Sequence, residues 1–231
     1  MKIKEQLGDF LKTWCARHGM VLALYESGDR KKLLQDVVRL KAQGRLMQNP
    51  AEGCQLISAS RATTRVDGDI AEVGTARGGS ARLIGEYSSG KTIHVFDTFE
   101  GLPEPGVKDH GFSKGAYMCS LENVQQYLQG LPVEFHKGLF PGSATAAQDR
   151  HFSFVHLDVD LYQSTLDCLR FFYPRVNPGG IITSHDYANA EGVNRAFAEF
   201  FADKPETPIE LIGYQVMVVK LSDTSAILMS A

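Results

Sequence analysis

Cysteines are few in this sequence, and none is placed where a metal knuckle or a redox pair would need it. The four residues Cys15, Cys54, Cys119 and Cys168 are scattered, and no two of them form a Cys-x-x-Cys pair. Zinc knuckles, thiol redox motifs and disulfide frameworks all depend on characteristic cysteine spacings. We therefore expect free thiols in a reducing compartment.

Long apolar runs and an excess of positive charge are also missing. The longest apolar stretch near the start, residues 20–25, is too short for a signal-peptide core, and no run approaches the ~18 apolar residues of a membrane span. The net charge of −3 disfavours a nucleic-acid or anionic-membrane binder, because both need a basic surface. We expect a soluble, cytoplasmic protein whose partner is a small molecule.

Residues 1–64 are predicted to be helical. Asn49, Pro50 and Glu52 have the order of a helix start, in which Asn caps, Pro occupies the first turn and Glu reaches back to the cap. We expect residues 1–64 to form a helical cap that is not an independent domain, and residues 65–231 to form the main domain. The cap could be a lid, a dimer surface or a simple packing appendage.

From residue 67 onward, short apolar segments alternate with amphipathic ones. The predicted strands cover residues 69–74, 92–96, 133–137, 152–157 and 181–183, and the predicted helices cover residues 78–87, 120–128, 162–172 and 192–201. This alternation predicts an α/β fold with a mostly parallel sheet and helices on both faces. Residues 177–180 are predicted to turn into the fifth strand. Residues 208–212 and 215–221 are too close for a helical crossover, so they should pair antiparallel.

A long segment without helix or strand pattern, residues 98–119, follows the second predicted strand. It is rich in glycine and proline. Loops of this length are unusual in compact domains and are often lids over binding sites. We expect a lid here, with a disordered insertion as the alternative.

A glycine-rich turn joins the first predicted strand to its helix. The turn contains Gly74, Gly78 and Gly79, spaced Gly-x-x-x-Gly-Gly, which differs from the Gly-x-Gly-x-x-Gly of dinucleotide enzymes. Such glycines let the backbone approach a ligand, and the following helix start offers free N–H groups. Asp97 closes the second strand, where an acid can accept hydrogen bonds from ribose hydroxyls. These features predict a nucleotide-type cofactor without separating NAD from S-adenosylmethionine.

Acidic side chains follow the fourth and fifth predicted strands. Asp158 and Asp160 should point to the same side of an extended chain, and His185 and Asp186 end the next strand. Neighbouring strands lie ~4.8 Å apart, so the two groups could converge at the ligand-binding edge of the sheet. Three carboxylates and an imidazole can hold one divalent cation. Acids that are merely solvated at the sheet rim are the alternative.

Together these segments resemble the macrocin O-methyltransferase family over residues 50–221. The runs that carry the resemblance are Glu72-Val-Gly-Thr-Ala-Arg-Gly-Gly-Ser80, Phe96-Asp-Thr-Phe-Glu-Gly-Leu-Pro103, Gly138-Leu-Phe140, His156-Leu-Asp-Val-Asp-Leu-Tyr162, Pro178-Gly-Gly180 and His185-Asp-Tyr187. The resemblance implies a Rossmann-like methyltransferase sheet with an antiparallel last strand. It also implies O-methylation of a hydroxyl, expected on a sugar of a glycosylated natural product, with S-adenosylmethionine and a divalent cation such as Mg²⁺ or Mn²⁺, and a homodimer or larger homo-oligomer.

The resemblance also implies roles for individual residues. Asp160 would be the general base, and Asp158 and Asp186 would be metal ligands, with Asp158 close to the cofactor. The residues implied around S-adenosylmethionine are Glu72, Gly74, Thr75 and Ser80 at its methionine part, Asp97 and Thr98 at its ribose, and Ser143 on its adenine side.

One position departs from the family pattern. His185 stands where the family usually has a second acid before the tyrosine. Imidazole suits Mn²⁺, Zn²⁺ and other transition metals better than Mg²⁺, which prefers oxygen ligands. His185 is therefore a candidate metal ligand and also a candidate base, since its ordinary pKa near 6.5 suits proton transfer.

Two other functions are open at this point. An NAD-dependent oxidoreductase would suit the glycine turn and Asp97, but hydride transfer needs no acid cluster. A catalytically silent protein that binds S-adenosylmethionine would suit the departure at His185.

Overall fold

The computed structural model describes residues 2–20, 22, 27–88 and 90–222, and its chain divides into two compact units that meet in sequence between Gln35 and Asp36. The helices that precede the sheet are α1 (Lys2–Arg17), α2 (Gly28–Ala42) and α3 (Pro50–Ala62). In the described part of residues 1–64, the only regular secondary structure is therefore helical, and short connections join the three helices. No helix in the described part of the chain has the length and apolarity to cross a membrane.

Helix α3 begins where the sequence predicts. The Asn49 side chain accepts hydrogen bonds from the backbone N–H groups of Ala51 and Glu52, and the Glu52 side chain accepts one from Asn49. This reciprocal arrangement satisfies N–H groups that a helix start leaves unpaired. The predicted capping function of Asn49 and Glu52 is confirmed.

The second unit contains a seven-stranded sheet in the order β3-β2-β1-β4-β5-β7-β6. The elements after α3 are β1 (Asp69–Val73), α4 (Gly79–Tyr87), β2 (Ile93–Asp97), α5 (Leu121–Leu128), β3 (Val133–Lys137), β4 (Phe152–Leu157), α6 (Tyr162–Phe172), β5 (Val176–Ser184), α7 (Glu191–Phe201), β6 (Ile209–Glu210) and β7 (Val216–Val219). Strands β1 to β5 pair in parallel, and β7 pairs antiparallel with both β5 and β6. The predicted fold class is confirmed, including its antiparallel end.

The fifth strand differs from the prediction. Residues 177–180 were expected to turn, yet β5 already begins at Val176 and runs through them. The pairing with β4 shifts register in this stretch, and Gly179 has a φ of 82°. A Cβ on Gly180 would lie 2.7 Å from the Val176 side chain, so the chain folds tightly upon itself there. Proline and glycine at these positions mark a bulge inside the strand.

Apolar side chains cover both faces of the sheet. On one face, α3, α4 and α5 pack onto a cluster that includes Ile84, Val95 and Phe154. On the other face, α6 and α7 pack onto a cluster that includes Phe172 and Phe197. The sheet is therefore held rigidly between two layers, and the ends of its strands are positioned with it.

Candidate active site

An open cavity of about 190 Å³ lies at the carboxyl ends of the parallel strands. Its wall is formed by the segments that follow β1, β2, β3, β4 and β5, together with the long loop after β2 and two residues before α3, Met47 and Gln48. This is where open α/β sheets bind their ligands. The cavity therefore brings together the segments that the sequence singled out.

The glycine turn after β1 forms one end of this cavity. Gly74 has a φ of 81°, and a Cβ at this position would lie 1.9 Å from the backbone oxygen of Asp158. Asp97, at the end of β2, accepts hydrogen bonds from the backbone N–H groups of Thr75 at 2.8 Å and Ala76 at 3.2 Å. Burial raises the pKa of Asp97, although its backbone hydrogen bonds oppose the rise. Asp97 thus holds the turn in place at the cavity wall.

The predicted cofactor residues divide into two groups. Gly74, Asp97, Thr98 and Asp158 line the cavity, whereas Glu72, Thr75, Ser80 and Ser143 do not. Glu72 is fully buried beneath the turn, where its Oε1 lies 3.0 Å from Nδ1 of His156. Among the described residues, the buried atoms Glu72 Oε2, Thr75 Oγ1 and Ser143 Oγ have no hydrogen-bond partner. The cofactor roles of these residues stay predictions.

The two strand ends with acidic residues converge as predicted. His185 Nδ1 lies 2.9 Å from Oδ2 of Asp186 and 3.5 Å from Oδ1 of Asp158. One donor atom from each of these three residues can be chosen so that all lie within 4.8 Å of one another, a spacing that a metal ion could bridge. Asp160 lines the same part of the cavity. We call Asp158, Asp160, His185 and Asp186 the acid cluster.

Two side chains that precede β1 contact the acid cluster. Glu52 Oε2 lies 3.4 Å from Nε2 of His185, so the imidazole stands between carboxylates on both ring nitrogens. Gln48 donates from Nε2 to Oδ2 of Asp158 at 3.2 Å. The sequence indicated Glu52 only as a capping residue, and nothing in the pattern marked Gln48.

The charges of the acid cluster shift its protonation strongly. Burial, together with the neighbouring charges of Asp158 and Asp186, raises the pKa of Asp160 to about 9. Burial disfavours the charged form of His185, but the charge and hydrogen bonding of Asp158 and Asp186 outweigh it and raise the pKa of His185 well above its usual range. For Asp186, burial is outweighed by the hydrogen bond and charge of His185, and its pKa is lowered. At neutral pH and without a metal ion, Asp160 is therefore a neutral carboxylic acid and His185 is a positively charged imidazolium.

Left-handed backbone conformations concentrate at the cavity. In the described ranges, positive φ angles outside glycine occur at Ala76, Phe99, Tyr117, Asp160 and Asp186. All of these except Phe99 line the cavity. Such conformations cost of order 1–3 kcal/mol each and cluster at functional sites, because the surrounding structure must enforce them. Their distribution supports this cavity as the functional site.

The segment 98–119 is an ordered loop that covers part of the cavity. It closes on itself through hydrogen bonds from Leu102 N to Ala116 O at 3.0 Å and from Gly115 N to Leu102 O at 2.9 Å. Asp109 fastens it further, since Oδ1 accepts a hydrogen bond of 2.7 Å from the backbone N–H of Tyr162 at the start of α6. The loop residues on the cavity wall are Thr98, Gly101, Leu102, Pro103, Ala116 and Tyr117.

The strand order, the turn after β1 and the cavity at the strand ends define this chain as a Rossmann-like fold of the methyltransferase type. The sequence model of one protein family, described as macrocin-O-methyltransferase (TylF), matches residues 47–219 of this chain. The chain belongs to this family, as its motifs predicted.

Curated relatives of the chain are themselves O-methyltransferases by name. The chain is 34% identical to 8-demethyl-8-(2,3-dimethoxy-alpha-L-rhamnosyl)-tetracenomycin-C 4'-O-methyltransferase of Streptomyces olivaceus, over 53% of this chain and 54% of that protein. It is 31% identical to mycinamicin III 3''-O-methyltransferase of Micromonospora griseorubida, over 53% of this chain and 56% of that protein. The chain thus spans a little over half the length of the curated relatives it matches.

Two solved structures show how widely the fold is shared. The O-methyltransferase NovP is 24% identical with a TM-score of 0.68, over 77% of this chain and 83% of that chain. An O-methyltransferase from Bacillus cereus, solved in complex with SAH, is 18% identical with a TM-score of 0.57, over 91% and 97% of the two chains. These similarities establish the fold.

Proposed function

We propose that this protein is an S-adenosylmethionine-dependent O-methyltransferase that acts on a hydroxyl group of a small molecule, a sugar of a glycosylated natural product. Family membership supports the reaction type. The names of two relatives specify methylation at the 4' and 3'' positions of glycosylated compounds, which supports a sugar hydroxyl as the acceptor.

One observation carries the proposal: a single cavity joins the turn at Gly74 and Asp97 to the acid cluster. Methyl transfer needs a donor sulfonium and an acceptor oxygen aligned with the methyl carbon, so both subsites must open into one space. The unpartnered buried atoms of Glu72, Thr75 and Ser143 belong to residues that adjoin the donor end without lining it, so a polar ligand would reach them only after a local shift of the wall. The loop 98–119 then covers the acceptor end.

The acid cluster fits a divalent cation. Asp158, His185 and Asp186 would hold it, since their donor atoms lie within 4.8 Å of one another. A bound cation would act as a Lewis acid that lowers the pKa of the acceptor hydroxyl. The imidazole favours Mn²⁺ or another transition metal over Mg²⁺, and His185 must give up its Nδ1 proton to bind it.

Asp160 is the proposed base for the acceptor proton. Burial and the charges of Asp158 and Asp186 raise its pKa to about 9, and with those charges offset by a bound cation Asp160 would ionise more readily and could accept the proton. His185 is the alternative base, but as a ligand of the cation it would have no free Nδ1 lone pair to accept the proton. Its other ring nitrogen, Nε2, lies 3.4 Å from Glu52, which would orient the ring.

Methyl transfer to a panel of glycosides and catechols, with Mg²⁺, Mn²⁺ or a chelator, tests the proposal. Catechols belong in the panel because vicinal hydroxyls could bind the same cation. Asp160→Asn should lower turnover by about 10²–10⁴-fold while the Kd for S-adenosylmethionine stays roughly unchanged. Asp203→Asn, a change at an exposed surface acid, is the matched control and should leave both unchanged.

Calorimetric titration separates the remaining functions. Binding of NAD in place of S-adenosylmethionine would support an oxidoreductase and refute the proposal. Binding of S-adenosylmethionine without transfer to any acceptor in the panel would indicate a silent binding protein. Full turnover in the presence of chelator would refute the role of the cation but leave the proposed methyl transfer standing.

The proposal also covers the roles of the loop and the N-terminal helices and the oligomeric state. We assign acceptor selection to the loop 98–119, and residues 1–64 to a helical cap on a homo-oligomeric enzyme. Light scattering of the purified protein measures the oligomeric state. A monomer at micromolar concentration would refute that part.

A further inference from the structure

A second group of metal-ligating side chains lies outside the cavity. His94 is on β2, and Glu134 and His136 are on the neighbouring edge strand β3. His94 is paired with Glu134 in the parallel register, and Glu134 and His136 are two residues apart, so all three side chains point to the same face of the sheet. None of the three lines the cavity of the candidate active site.

The three donor atoms have nearly the spacing of a tetrahedral zinc site. His94 Nδ1 lies 3.0 Å from Nε2 of His136 and 3.6 Å from Oε2 of Glu134. Zinc bonds of 2.0–2.1 Å to nitrogen and oxygen require donor atoms about 3.3 Å apart in a tetrahedron. These two distances bracket this value, and the donor atoms of Glu134 and His136 lie within 4.8 Å of each other, so a modest adjustment of the side chains would complete the site.

The outer contacts of His94 prepare it for this role. Its Nε2 lies 3.2 Å from Oδ2 of Asp69, and the same oxygen lies 3.6 Å from Nη1 of Arg150. A carboxylate at one ring nitrogen fixes the proton there and leaves the lone pair of the other nitrogen, here Nδ1, free for a ligand. His94 is fully buried, which also fixes the orientation of its ring.

The site is reachable from solvent. The side chain of Glu134 is about half exposed, and His136 is partly exposed on the edge strand. An ion could enter from this side and keep a water molecule as its fourth ligand. Without an ion, the same atoms form a hydrogen bond between the two imidazoles. An arriving ion therefore displaces the single proton that the two rings share.

We propose that His94, His136 and Glu134 form a second metal site, which binds Zn²⁺ or a similar transition-metal ion and joins the edge strand β3 to β2. Two imidazoles and one carboxylate are a donor set that Zn²⁺ takes in proteins, whereas Mg²⁺ and Ca²⁺ prefer oxygen ligands. The ring of Phe96, which lines the active-site cavity, stacks on His136 with centroids 4.4 Å apart. The second site is thus one side chain away from the cavity wall.

Titration of the purified full chain with Co²⁺ tests the proposal, because tetrahedral Co²⁺ gives intense visible absorption. We expect this absorption in the wild-type protein and its displacement by Zn²⁺. His136→Gln should lower the Zn²⁺ affinity at least about 100-fold, and Asp69→Asn, which removes only the outer contact, about 10–100-fold. Glu134→Gln changes an exposed residue, leaves the fold intact and should weaken binding about tenfold.

Two further variants show which site is observed. His110→Gln removes an exposed histidine of the loop 98–119 and should leave the absorption unchanged. Asp186→Asn disables the acid cluster and should also leave it unchanged. Absence of the tetrahedral band in the wild-type protein, its persistence in both His136→Gln and Glu134→Gln, or its loss in Asp186→Asn alone would overturn the proposal.

Thermal unfolding gives an independent measurement. An ion that binds only the folded chain raises the Tm in proportion to the logarithm of its concentration. Zn²⁺ should therefore raise the Tm of Asp186→Asn, in which the acid cluster is disabled, but not that of the double variant Asp186→Asn/His136→Gln. Equal shifts in these two proteins would show that the ion binds elsewhere and would overturn the proposal.

Discussion

Glu52 connects three parts of the molecule, and the change Glu52→Gln tests that connection. Its Oε2 accepts a hydrogen bond of 2.7 Å from the backbone of Asn49 and lies 3.4 Å from His185 Nε2. Its Oε1 accepts one of 3.0 Å from the backbone of Tyr214, in the turn between β6 and β7. The side chain is only 2% exposed. Glutamine keeps the shape but has one acceptor oxygen where glutamate has two.

The cost follows from these contacts. If the glutamine oxygen faces Asn49, its NH₂ group faces the N–H of Tyr214, and that hydrogen bond is lost. A hydrogen bond to a charged group contributes about 1.5–3 kcal/mol, and the bond that survives weakens by about 1 kcal/mol once the charge is gone. We expect Glu52→Gln to lower the free energy of unfolding by about 3 kcal/mol. This is a large fraction of the 5–15 kcal/mol typical of a domain.

The stability difference between wild type and Glu52→Gln should depend on pH, because the pKa of Glu52 is shifted. Burial raises the pKa of Glu52, but the hydrogen bond with His185 and the backbone hydrogen bonds outweigh it, so the pKa lies below the ordinary 4.5. A carboxylate with a lowered pKa stabilises the fold above its unfolded-state pKa, and this stabilisation is lost as the pH falls through the folded-state value. The difference between wild type and Glu52→Gln should therefore be complete at pH 7 and shrink below about pH 4.

Urea unfolding at pH 7 and at acid pH measures both effects. Glu104→Gln, which changes an exposed acid of the loop, is the control and should stay within about 0.5 kcal/mol of wild type. A Glu52→Gln protein as stable as the control at pH 7, or a difference that grows toward acid pH, would refute the reasoning.

Three other changes test separate parts of the structure. Gly74→Ala should lower the free energy of unfolding by more than about 2 kcal/mol and abolish calorimetric binding of S-adenosylmethionine, because its Cβ would meet the Asp158 backbone oxygen at 1.9 Å. Gly90→Ala, with a φ of 79° in open space, carries the same backbone strain without the clash, and equal losses in both proteins would contradict this account. The pKa of Asp160 is raised from 3.8 to about 9, so its folded-state proton makes the wild type lose stability as the pH rises through that window. Asp160→Asn should therefore match wild type near pH 4 and exceed it at pH 8 in urea unfolding, and the opposite order would exclude a buried neutral Asp160. Phe172→Ala should cost about 3–5 kcal/mol in the same assay, since its ring packs on Phe96, Phe140 and Phe152, and a loss below 1 kcal/mol would contradict a rigid core.

Local signals in the sequence predict most of the helices and strands of the fold. The strands at 133–137 and 152–157 and the helix at 162–172 were predicted with their observed bounds, because an uninterrupted pattern lies between clear turns. The short connection around Gly213 required an antiparallel pair, which β6 and β7 form. Residues 177–180 were misjudged because proline and glycine favour a turn and a bulge alike, and only the pairing with β4 decides between them.

The active-site cavity was predictable only where its residues follow strands. Parallel strands end at one edge, so Asp158 and His185 had to be neighbours once the strand order was known. Glu52 and Gln48 reach the same point from the segment around α3, and their place depends on tertiary packing that no local pattern records. The protonation of Asp160 likewise depends on how closely the charges gather, which only the folded chain determines.

The hydrogen bonds that close the loop at Leu102, Gly115 and Ala116 have a consequence for how such a chain can diversify. They bring the two ends of residues 103–114 together, so this segment can change in length or composition without pulling on the strands that hold the acidic side chains. Three of its residues must keep their place: Asp109 through its hydrogen bond to Tyr162, Lys108 through its contacts with Tyr162 and Glu199, and Phe112 through its packing on the core. If the loop selects the acceptor as proposed, changes in the other residues of 103–114 would alter that choice without moving the acidic side chains, and this stretch could be exchanged between members of the family.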